Sequence, residues 1–474
     1  AVVQADFLWS DVGNWGSVKD LGDKDNSGNV VEGDVYLKNA ENCYAKSKSR
    51  TVALVGVKDL YVVDTDDALL VCHQGALQDI KSIHQQLMDD NKVVALKHAG
   101  QNSFDFEDYQ QWARSWLFDK ALPFWADVGE DRKKGGVFEA LDNNGEPLTE
   151  MVKRFRVQAR QVYVYSHAYE LGWKQGAEAL QAPLDFMLKH CWLDGGGWGH
   201  LYNRDGSVND PSLDTYDQAF ALMALGWAYK VTGEKALLLK AKDTLSVLQE
   251  HLKHPLGGYK EGIPARTARR ANPHMHLFEC AIHWMQLHQD EQMADIASEI
   301  YGLFHDRFFV SGLLREHFND DLSSISDKSA PELTWVEPGH MYEWAYLLRE
   351  YEKLSGKTSD ITATLEAFAD FHGVSEDSGF VLDVVQPNGA KVASAGSRLW
   401  PQTEYIRLKL ANNQPNQQQK GLEMLEWVKQ SYLTIDGKQP GFWRDKLNAR
   451  GDLISDTAPA STLYHLMGCL LPLL

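Results

Sequence analysis

The helical pattern of the chain is interrupted by Gly196-Gly197-Trp198-Gly199-His200, and this run is followed by the turn signal Asn203-Arg204-Asp205-Gly206. Paired glycines before an aromatic residue predict a tight turn that leads into a short strand, and the second signal predicts the turn of a hairpin. Interruptions of the same kind recur roughly every 60 residues, a period typical of repeat architectures. The others begin at Gly135, Gly257, Ser311, Ser378 and Pro440.

Between successive hairpins the chain has room for two helices of ordinary length, so each repeat is predicted to be a helix, a helix and a hairpin. Six such repeats predict a mainly α fold, an (α/α)6 barrel over residues 104–474. An open solenoid would use the same repeats. Six units and a short apolar end at residues 466–474 favour a closed ring.

The first part of the chain has a different pattern. Short β-branched runs, such as Val52-Ala53-Leu54-Val55 and Leu60-Tyr61-Val62-Val63, alternate with Gly, Asp and Asn turn signals. We therefore predict a small N-terminal β-rich domain over residues 1–97, with one helix at 77–88 and a polar boundary at 97–103. Because the chain starts without Met in what reads as mid-domain, we expect part of a longer fold to be missing.

The composition excludes several classes of protein. With 44% hydrophobic and 24% charged residues it is that of an ordinary globular protein, and no apolar run is long enough to cross a bilayer. A formal charge of -19 opposes binding to nucleic acid or to anionic membranes. The five cysteines are scattered without metal-binding spacing, so we expect reduced cysteines and a cytoplasmic protein. No feature predicts the oligomeric state.

Each predicted inner helix begins with a polar cluster. The six starting segments are residues 154–160, 214–218, 272–279, 337–344, 398–404 and 458–465. Several carry a helix-start signal, such as the proline of Asn272-Pro273. Inner helices that start at one end of a barrel direct their first turns into the same mouth, so we expect these clusters to form one pocket. A single buried histidine is more often structural, but a cluster in every repeat favours a site.

Two of these segments place an imidazole and a carboxylate three residues apart, so that both lie on one helix face. The pairs are His276 with Glu279 and His340 with Glu343. A neighbouring carboxylate raises the basicity of an imidazole, selects its tautomer and fixes its orientation. These histidines are therefore candidates for proton transfer without a metal or other cofactor.

Three segments are specific enough to compare with known families: Asn272-Pro273-His274-Met275-His276-Leu277-Phe278-Glu279, Glu337-Pro338-Gly339-His340 through Trp344, and Leu399-Trp400-Pro401-Gln402-Thr403-Glu404. They closely resemble the N-acylglucosamine 2-epimerase family, which also contains mannose-type aldose–ketose isomerases and cellobiose epimerases. The resemblance covers nearly all of residues 104–474. It implies an (α/α)6 barrel with His340 and His465 as the catalytic pair. It places further residues around the sugar: Arg156, Asn272, His276, Glu279, Glu343, Trp400 and Glu404. Arg160 aligns with a pocket arginine of the 2-epimerase branch.

The N-terminal region carries a second likeness, in Trp9-Ser10-Asp11-Val12-Gly13-Asn14-Trp15, Gly33-Asp34-Val35 and Val62-Val63-Asp64-Thr65-Asp66-Asp67-Ala68. It resembles the carboxy-terminal part of bacterial mannose-1-phosphate guanylyltransferase. The glycine-rich nucleotide loop of that family is absent from this sequence, so we expect no guanylyltransferase activity from this chain alone. Asp11 is then expected to be vestigial.

The family resemblance implies removal of the proton alpha to the carbonyl of an open-chain sugar. One histidine would take the C2 proton, the other would open the ring or handle the proton on oxygen or C1, and Arg156 or Arg160 would stabilise the enediolate. Return of the proton to C1 makes an isomerase, and its return to the opposite face of C2 makes a 2-epimerase. We favour interconversion of mannose and fructose, because the N-terminal likeness is to a mannose-activating family.

Other functions stay open. Arg266, Arg269 and Arg270 would suit the phosphate of mannose 6-phosphate, although they could equally be solvated loop charges. Glu343 and Glu404 could be the two carboxylates of an (α/α)6 glycoside hydrolase. A non-catalytic sugar-binding module would use the same pocket.

Overall fold

The computed structural model describes Trp15 and residues 18–19, 22–48, 50–65, 69–80, 82–83, 106–265, 268–325, 330–435, 440–448 and 450–474. The chain divides into two compact units, Ala1–Asn102 and Ser103–Leu474. Some predictions concern residues outside the described ranges: Asp11, Arg266, most of the helix at 77–88 and the boundary at 97–103.

The N-terminal unit is built of short strands. They are β1 (Val30–Glu32), β2 (Val35–Lys38), β3 (Tyr44–Lys46), β4 (Val52–Val55), β5 (Leu60–Asp64) and β6 (Leu69–His73), followed by a 3-10 helix at Gln74–Asp79. Strands β1, β3 and β5 pair in parallel, as do β2 and β4, while β6 is antiparallel to β5. Alternate strands therefore stack as successive turns of the chain, and apolar side chains such as Val52, Leu54 and Val62 fill the space between the two stacks. The predicted β-rich character is confirmed; β3 was not predicted, because its Tyr-Ala-Lys sequence has no β-branched residue.

The second unit contains twelve main helices within the residues described. They are α1 (Phe106–Ser115), α2 (Phe155–Glu170), α3 (Gln181–Phe186), α4 (Thr215–Thr232), α5 (Lys235–Val247), α6 (Ala271–His288), α7 (Glu291–Leu303), α8 (Pro338–Ser355), α9 (Ile361–His372), α10 (Leu399–Leu410), α11 (Pro415–Val428) and α12 (Thr462–Leu470). Helix α1 continues through a π turn, Trp116–Ala121, into Leu122–Asp127. Similar π turns end α3, α5, α7 and α11, at Met187–Cys191, Leu248–Leu252, Phe304–Phe308 and Lys429–Leu433.

The burial pattern separates two rings of helices. Outer helix α7 buries Met293, Ile296, Ala297 and Ile300, the stripe expected of a helix with one solvated face. Inner helix α4 is buried on nearly all sides, as a helix surrounded by others must be. The odd-numbered helices form the outer ring and the even-numbered helices the inner ring. Among the described helices, none is long and apolar enough to cross a bilayer.

The ring of repeats is closed. Each inner helix packs against the next, and α12 packs against α2. Short strands at the mouth follow the same order: β7 (Ala140–Asp142), β8 (Lys153–Arg154), β9 (Gly199–Tyr202), β10 (Val208–Asp214), β11 (Gly262–Ile263), β12 (Arg269–Arg270), β13 (Phe309–Val310), β14 (Leu313–Leu314), β15 (His317–Phe318), β16 (Ser397–Arg398), β17 (Lys446–Leu447) and β18 (Thr457–Pro459).

Pairing between these strands links each repeat to the one after it. The residues before an inner helix pair with the following hairpin, as in β8 with β9, β10 with β11, β12 with β15 and β16 with β17. A single bridge between Val336 and Val385 makes the equivalent link before α8. Strand β18, before α12, pairs with β7 of the first hairpin. The predicted closed (α/α)6 barrel is confirmed.

The hairpins begin at the predicted glycine turns, and three of them are fastened to an inner helix by a glutamine side chain. Gly196 and Gly197 have φ values of 87° and 88°, a left-handed conformation that favours glycine. The Gln218 amide in the first turn of α4 donates to the Trp198 carbonyl at 2.8 Å and accepts from its N–H at 3.0 Å. The same clamp joins Gln158 to Val137 and Gln402 to Val381. Each clamp holds the neighbouring polar side chains at the mouth of the barrel.

Candidate active site

A cavity of about 390 Å³ lies where the inner helices begin. Its size falls in the range of small-molecule sites, about 300–1,000 Å³. Seven of the ten predicted site residues line it: Arg160, Asn272, His276, His340, Glu343, Trp400 and His465. The other three, Arg156, Glu279 and Glu404, lie behind the wall and contact residues that form it. The structure therefore brings the predicted set together, with three members supporting the others.

His340 lies in the first turn of α8 and faces carboxylates. Its Nδ1 donates to Glu316 Oε2 at 3.0 Å, and Glu337 Oε2 lies 3.8 Å from the same nitrogen. Burial opposes the charged imidazole, but the charges of Glu337 and Glu316 outweigh it and raise the pKa of His340 to about 10. Nδ2 of Asn272 lies 2.8 Å from Nε2, and a half-turn of this amide would present its oxygen to a charged imidazole. His340 is an imidazolium at neutral pH.

The carboxylate bonded to His340 differs from the one predicted by spacing. Glu316, at the end of the preceding hairpin, takes the position that the sequence analysis gave to Glu343. Glu343 instead lies 3.9 Å from Nδ1 of His276, on the neighbouring inner helix. A spacing of three residues places two side chains on one helix face, but the hairpin brings a carboxylate directly to the imidazole edge.

His465, in α12, has the opposite protonation state. Its Nδ1 donates to Glu404 Oε1 at 2.7 Å, which fixes the tautomer and leaves Nε2 as an acceptor. Burial lowers the pKa of His465 below its usual value, despite the opposing effect of Glu404. The imidazole is therefore neutral at neutral pH and can accept a proton.

Trp400 lies between the two imidazoles. Its ring centre is 5.1 Å from that of His340 and 5.5 Å from that of His465. Gly339 makes room for the indole, because a Cβ at this position would lie 2.6 Å from two of its ring atoms. The glycine of the Pro-Gly-His run is therefore explained by the packing of Trp400.

A buried charge network supports this wall from behind. Glu279 accepts from the Tyr464 hydroxyl and from Nδ1 of His276 at 3.3 Å, and Arg407 Nη1 lies 3.4 Å from its Oε1. Burial acts to raise the pKa of Glu279, but the bond from His276 and the charge of Arg407 have the larger effect. The pKa of Glu279 is therefore below its usual value. For His276 burial dominates and lowers the pKa to about 3, so the basicity expected from Glu279 is not realised.

The surroundings of Glu343 favour its neutral form. Burial raises its pKa well above the usual value, and the charges of Glu404 and Glu279 raise it further. Glu343 Oε1 and Glu404 Oε2 are buried without a hydrogen-bond partner. Such atoms are rare in folded proteins, so we expect hydroxyl groups of a ligand to bond with them.

The two predicted arginines of α2 occupy different places. Arg160 lines the cavity, where its guanidinium packs 4.5 Å from the Phe220 ring centre and 4.6 Å from that of Tyr464. Its Nη2 donates to the Tyr216 hydroxyl at 2.6 Å. Arg156 is not among the lining residues; its Nη1 lies 3.7 Å from Asp217 Oδ1. Arg160 is therefore the better placed of the two to contact a ligand.

The arginines that suggested a phosphate site are only partly available. Arg269 is buried, and its guanidinium donates to the carbonyls of Gly257, Tyr259 and Asp320, a structural role. The solvated loop charge predicted as its alternative is therefore also wrong, because a hairpin and a loop enclose the side chain. Arg270 lines the cavity.

The sequence analysis missed a ring of titratable residues supplied by the hairpins. Each lies three or four residues after the last glycine of the turn: Glu139, His200, Glu261, Glu316, Asp383 and Asp445. Three of them pair with the arginine just before an inner helix: Glu139 with Arg154, Glu261 with Arg270 and Asp383 with Arg398. This short distance from the glycine turns, three or four residues, is visible in the sequence and would have made Glu316 a candidate site residue.

Groups of histidine and carboxylate near the cavity have the composition of metal ligands. His276 with Glu279 and Glu343, His340 with Glu316 and Glu337, and His465 with Glu343 and Glu404 each bring three ligand atoms within 4.8 Å. In each group an imidazole N–H already donates to a carboxylate, so an ion would have to displace that proton. The expectation that the reaction needs no metal or other cofactor stays a prediction.

Two family models match different parts of the chain. The family N-acylglucosamine 2-epimerase (GlcNAc 2-epimerase) matches residues 136–469, and the MannoseP isomerase/GMP-like beta-helix domain matches residues 33–87. The N-terminal region is 39% identical over 119 residues to a putative mannose-1-phosphate guanylyltransferase of Vibrio cholerae serotype O1. This match covers 25% of the chain and only 24% of that relative, so it concerns a fragment of the larger protein.

The barrel has relatives that match nearly their whole length. The chain is 35% identical over 367 residues to the mannose-6-phosphate isomerase of Rhizobium meliloti (strain 1021). The matched segment covers 74% of this chain and 93% of that protein. The crystal structure of a D-mannose isomerase has the same fold, with a TM-score of 0.70 at 18% identity over 77% of this chain and 97% of that one. The chain therefore belongs to the N-acylglucosamine 2-epimerase family, and it is a sugar isomerase or epimerase.

Proposed function

We propose that the protein interconverts a mannose-type aldose and its ketose by moving a proton between C2 and C1. One observation carries the proposal: two imidazoles beside one indole are held in opposite protonation states. Groups whose pKa values are pushed apart can act as general acid and general base at the same pH. His465 is the base and His340 is the acid. The isomerase activity of the 35% identical relative supports this reaction over others of the family.

The reaction uses each histidine twice. His465 Nε2 takes the C2 proton of the open-chain aldose while His340 gives a proton to the carbonyl oxygen at C1, which yields an enediol. His465 then returns its proton to C1, and His340 takes the proton from the hydroxyl at C2. The ketose forms, both imidazoles regain their starting states, and no co-reactant is consumed.

Glu343 is suited to the negative charge that develops on the sugar oxygens. Burial raises its pKa well above the usual value, which favours the neutral acid, and this acid can donate a hydrogen bond from the cavity wall. Donors fixed before the reaction stabilise an enediolate without reorganising.

The arrangement of carboxylates opposes the hydrolase alternative. Glu343 and Glu404 bring oxygen atoms within 4.8 Å of each other and of His465. A glycoside hydrolase needs its two carboxyl groups on opposite sides of the scissile bond, about 5–9.5 Å apart. Here Glu404 is bonded to the His465 imidazole, so the pair does not offer two free carboxyl groups to a scissile bond.

Isotope exchange tests the proposal. Incubation with mannose, and in parallel with mannose 6-phosphate, in heavy water is expected to give a ketose that carries deuterium at C1 and recovered aldose with deuterium at C2. A 2-epimerase would give the glucose-type epimer labelled at C2 and no ketose. A hydrolase or a binding module would give no exchange with either sugar, and that result would contradict the proposal.

The pH profile of turnover provides a second test. The base must be neutral, so activity is expected to fall as the pH drops through the lowered pKa of His465, below its usual value of 6.5. The acid must be charged, so activity is expected to fall again as the pH approaches the raised pKa of His340, about 10. Turnover measured from pH 4 to 11 should therefore show a broad plateau between the lowered pKa of His465 and the raised pKa of His340. A profile that centres both limbs near 6.5 would refute the assignment.

A further inference from the structure

The wall of the cavity is divided into two chemically different halves. The histidine half comes from α8, α10 and α12 and contains His340, Trp400 and His465. The arginine half comes from α2, α4 and the residues just before α2 and α6, and it contains Arg154, Arg160, Tyr216 and Arg270. The mechanism places C1 and C2 of the substrate in the histidine half and gives no function to the three arginines of the other half, Arg154, Arg160 and Arg270.

Tyr216 is the common neighbour within the arginine half. Arg160 donates to its hydroxyl at 2.6 Å. The Arg160 guanidinium also lies 5.7 Å from the Tyr216 ring centre, and that of Arg156, behind the wall, lies 4.9 Å from it. Arg154 and Arg270 line the same cavity as Arg160 and Tyr216. Three guanidinium groups therefore border one cavity.

Arg154 and Arg270 are held in fixed orientations. Glu139 accepts from the backbone N–H and from Nε of Arg154, and Glu261 makes the same two bonds with Arg270. These bonds use one edge of each guanidinium, and the other edge stays available. The side chains are 34% and 38% exposed, so a ligand in the cavity can reach them.

Arg160 has different surroundings from the other two arginines, and these surroundings indicate the charge of the ligand. Arg160 is only 6% exposed, and its Nε has no hydrogen-bond partner. Among the described residues no carboxylate pairs with it; its Nη2 donates to the Tyr216 hydroxyl. A buried cation without a counter-charge is unfavourable, and an anionic ligand would neutralise it. Guanidinium groups bind phosphate oxygens in pairs, which makes arginine the usual residue for this recognition.

We propose that the arginine half binds a phosphate ester on the substrate, at the carbon furthest from the carbonyl. The substrate class is then a mannose-type aldose 6-phosphate. The placement rests on the proposed function, because a hexose with C1 and C2 beside His340 and His465 directs C6 away from the histidine half. The proposed site keeps Arg270 from the loop cluster that suggested a phosphate site in the sequence. It adds Arg154 and Arg160, which were not in that cluster.

Binding of unreactive polyols tests this subsite without turnover. Glucitol and glucitol 6-phosphate lack a carbonyl, so calorimetry compares their affinities with no reaction. We expect the phosphate to increase affinity for the native protein by about 10- to 100-fold, the effect of one or two charge-assisted hydrogen bonds. In Arg160→Gln and in Arg270→Gln most of this gain is expected to disappear. Arg160→Lys keeps the charge and should retain part of it.

Arg398→Gln is the matched control. Arg398 also lines the cavity and pairs with an acid, Asp383, but its guanidinium lies 5.3 Å from the Trp400 ring in the histidine half. The phosphate gain should survive this change, and circular dichroism should show that all four variants fold. Equal affinity for the two polyols, or equal loss of the gain in Arg398→Gln, would overturn the subsite.

The two proposals can fail separately. Deuterium exchange with both mannose and mannose 6-phosphate, together with equal polyol affinities, keeps the isomerase and removes the phosphate site. A phosphate gain that is lost in Arg160→Gln, together with no exchange on either sugar, keeps the anion site and removes the isomerase.

Discussion

Replacement of His465 by asparagine is expected to lower turnover by about 10²- to 10⁴-fold, the usual contribution of a positioned general base. Asparagine can still donate a hydrogen bond to Glu404, so the fold around the carboxylate should persist. It cannot accept the C2 proton, so the loss should appear in kcat and in the rate of deuterium uptake from heavy water. KM should change little, because His465 is assigned to the chemical step.

His283→Asn is the matched control for this prediction. His283 is also a buried imidazole with a lowered pKa, about 4, but it packs against Tyr163 and Trp227 and does not line the cavity. It should lower stability and leave the turnover of folded protein close to that of the native enzyme. A His465→Asn enzyme that keeps more than about a tenth of native turnover would show that another group is the base.

The barrel could be predicted from the sequence because its signals are local and repeated. The glycine turns, such as Gly196-Gly197, mark each hairpin, and the spacing between them fixes two helices per repeat. Closure depends on contacts between the first and last repeats, such as β18 with β7, and no local pattern encodes a pairing over that separation. The number of repeats and the apolar end at residues 466–474 were the only guides to closure.

The candidate site was predictable as a set of residues but not as a set of partners. The starts of the inner helices gave His340 and Trp400, because topology alone directs these segments to one mouth. The protonation state of His340 depends on Glu316, which reaches it from another repeat across 24 residues of sequence. Spacing rules apply within one element, so they assigned the nearest carboxylate on the same helix, Glu343.

Burial explains the other difference between sequence and structure. A carboxylate three residues from an imidazole is expected to raise its pKa, as Glu279 was for His276. The pKa of His276 is instead lowered to about 3, since desolvation outweighs the carboxylate. The extent of burial is a property of the closed ring, and the sequence of one helix does not contain it.

Replacement of Arg407 by methionine is expected to lower the free energy of unfolding by about 3–5 kcal/mol, the effect of removing one partner from a buried ion pair. The Arg407 side chain is 4% exposed, and its Nη1 lies 3.4 Å from Glu279 and 3.6 Å from Glu404. Methionine fills much of the same volume but leaves two buried carboxylates without their cation. Urea unfolding at pH 7 measures the difference from the native protein.

The pH dependence and a surface control separate this charge effect from a packing effect. The pKa of Glu279 is lowered in the folded protein, partly by Arg407, so its contribution to stability is present above its usual value of 4.5 and is lost as the pH falls through the folded pKa. The gap between native and Arg407→Met proteins should therefore narrow below about pH 4.5. Lys391→Met removes an exposed pair with Glu376 and should change stability by no more than about 1 kcal/mol. A gap for Arg407→Met that is independent of pH would show that shape rather than charge determines the role of this residue, and that the carboxylates behind His276 and His465 do not need the buried cation.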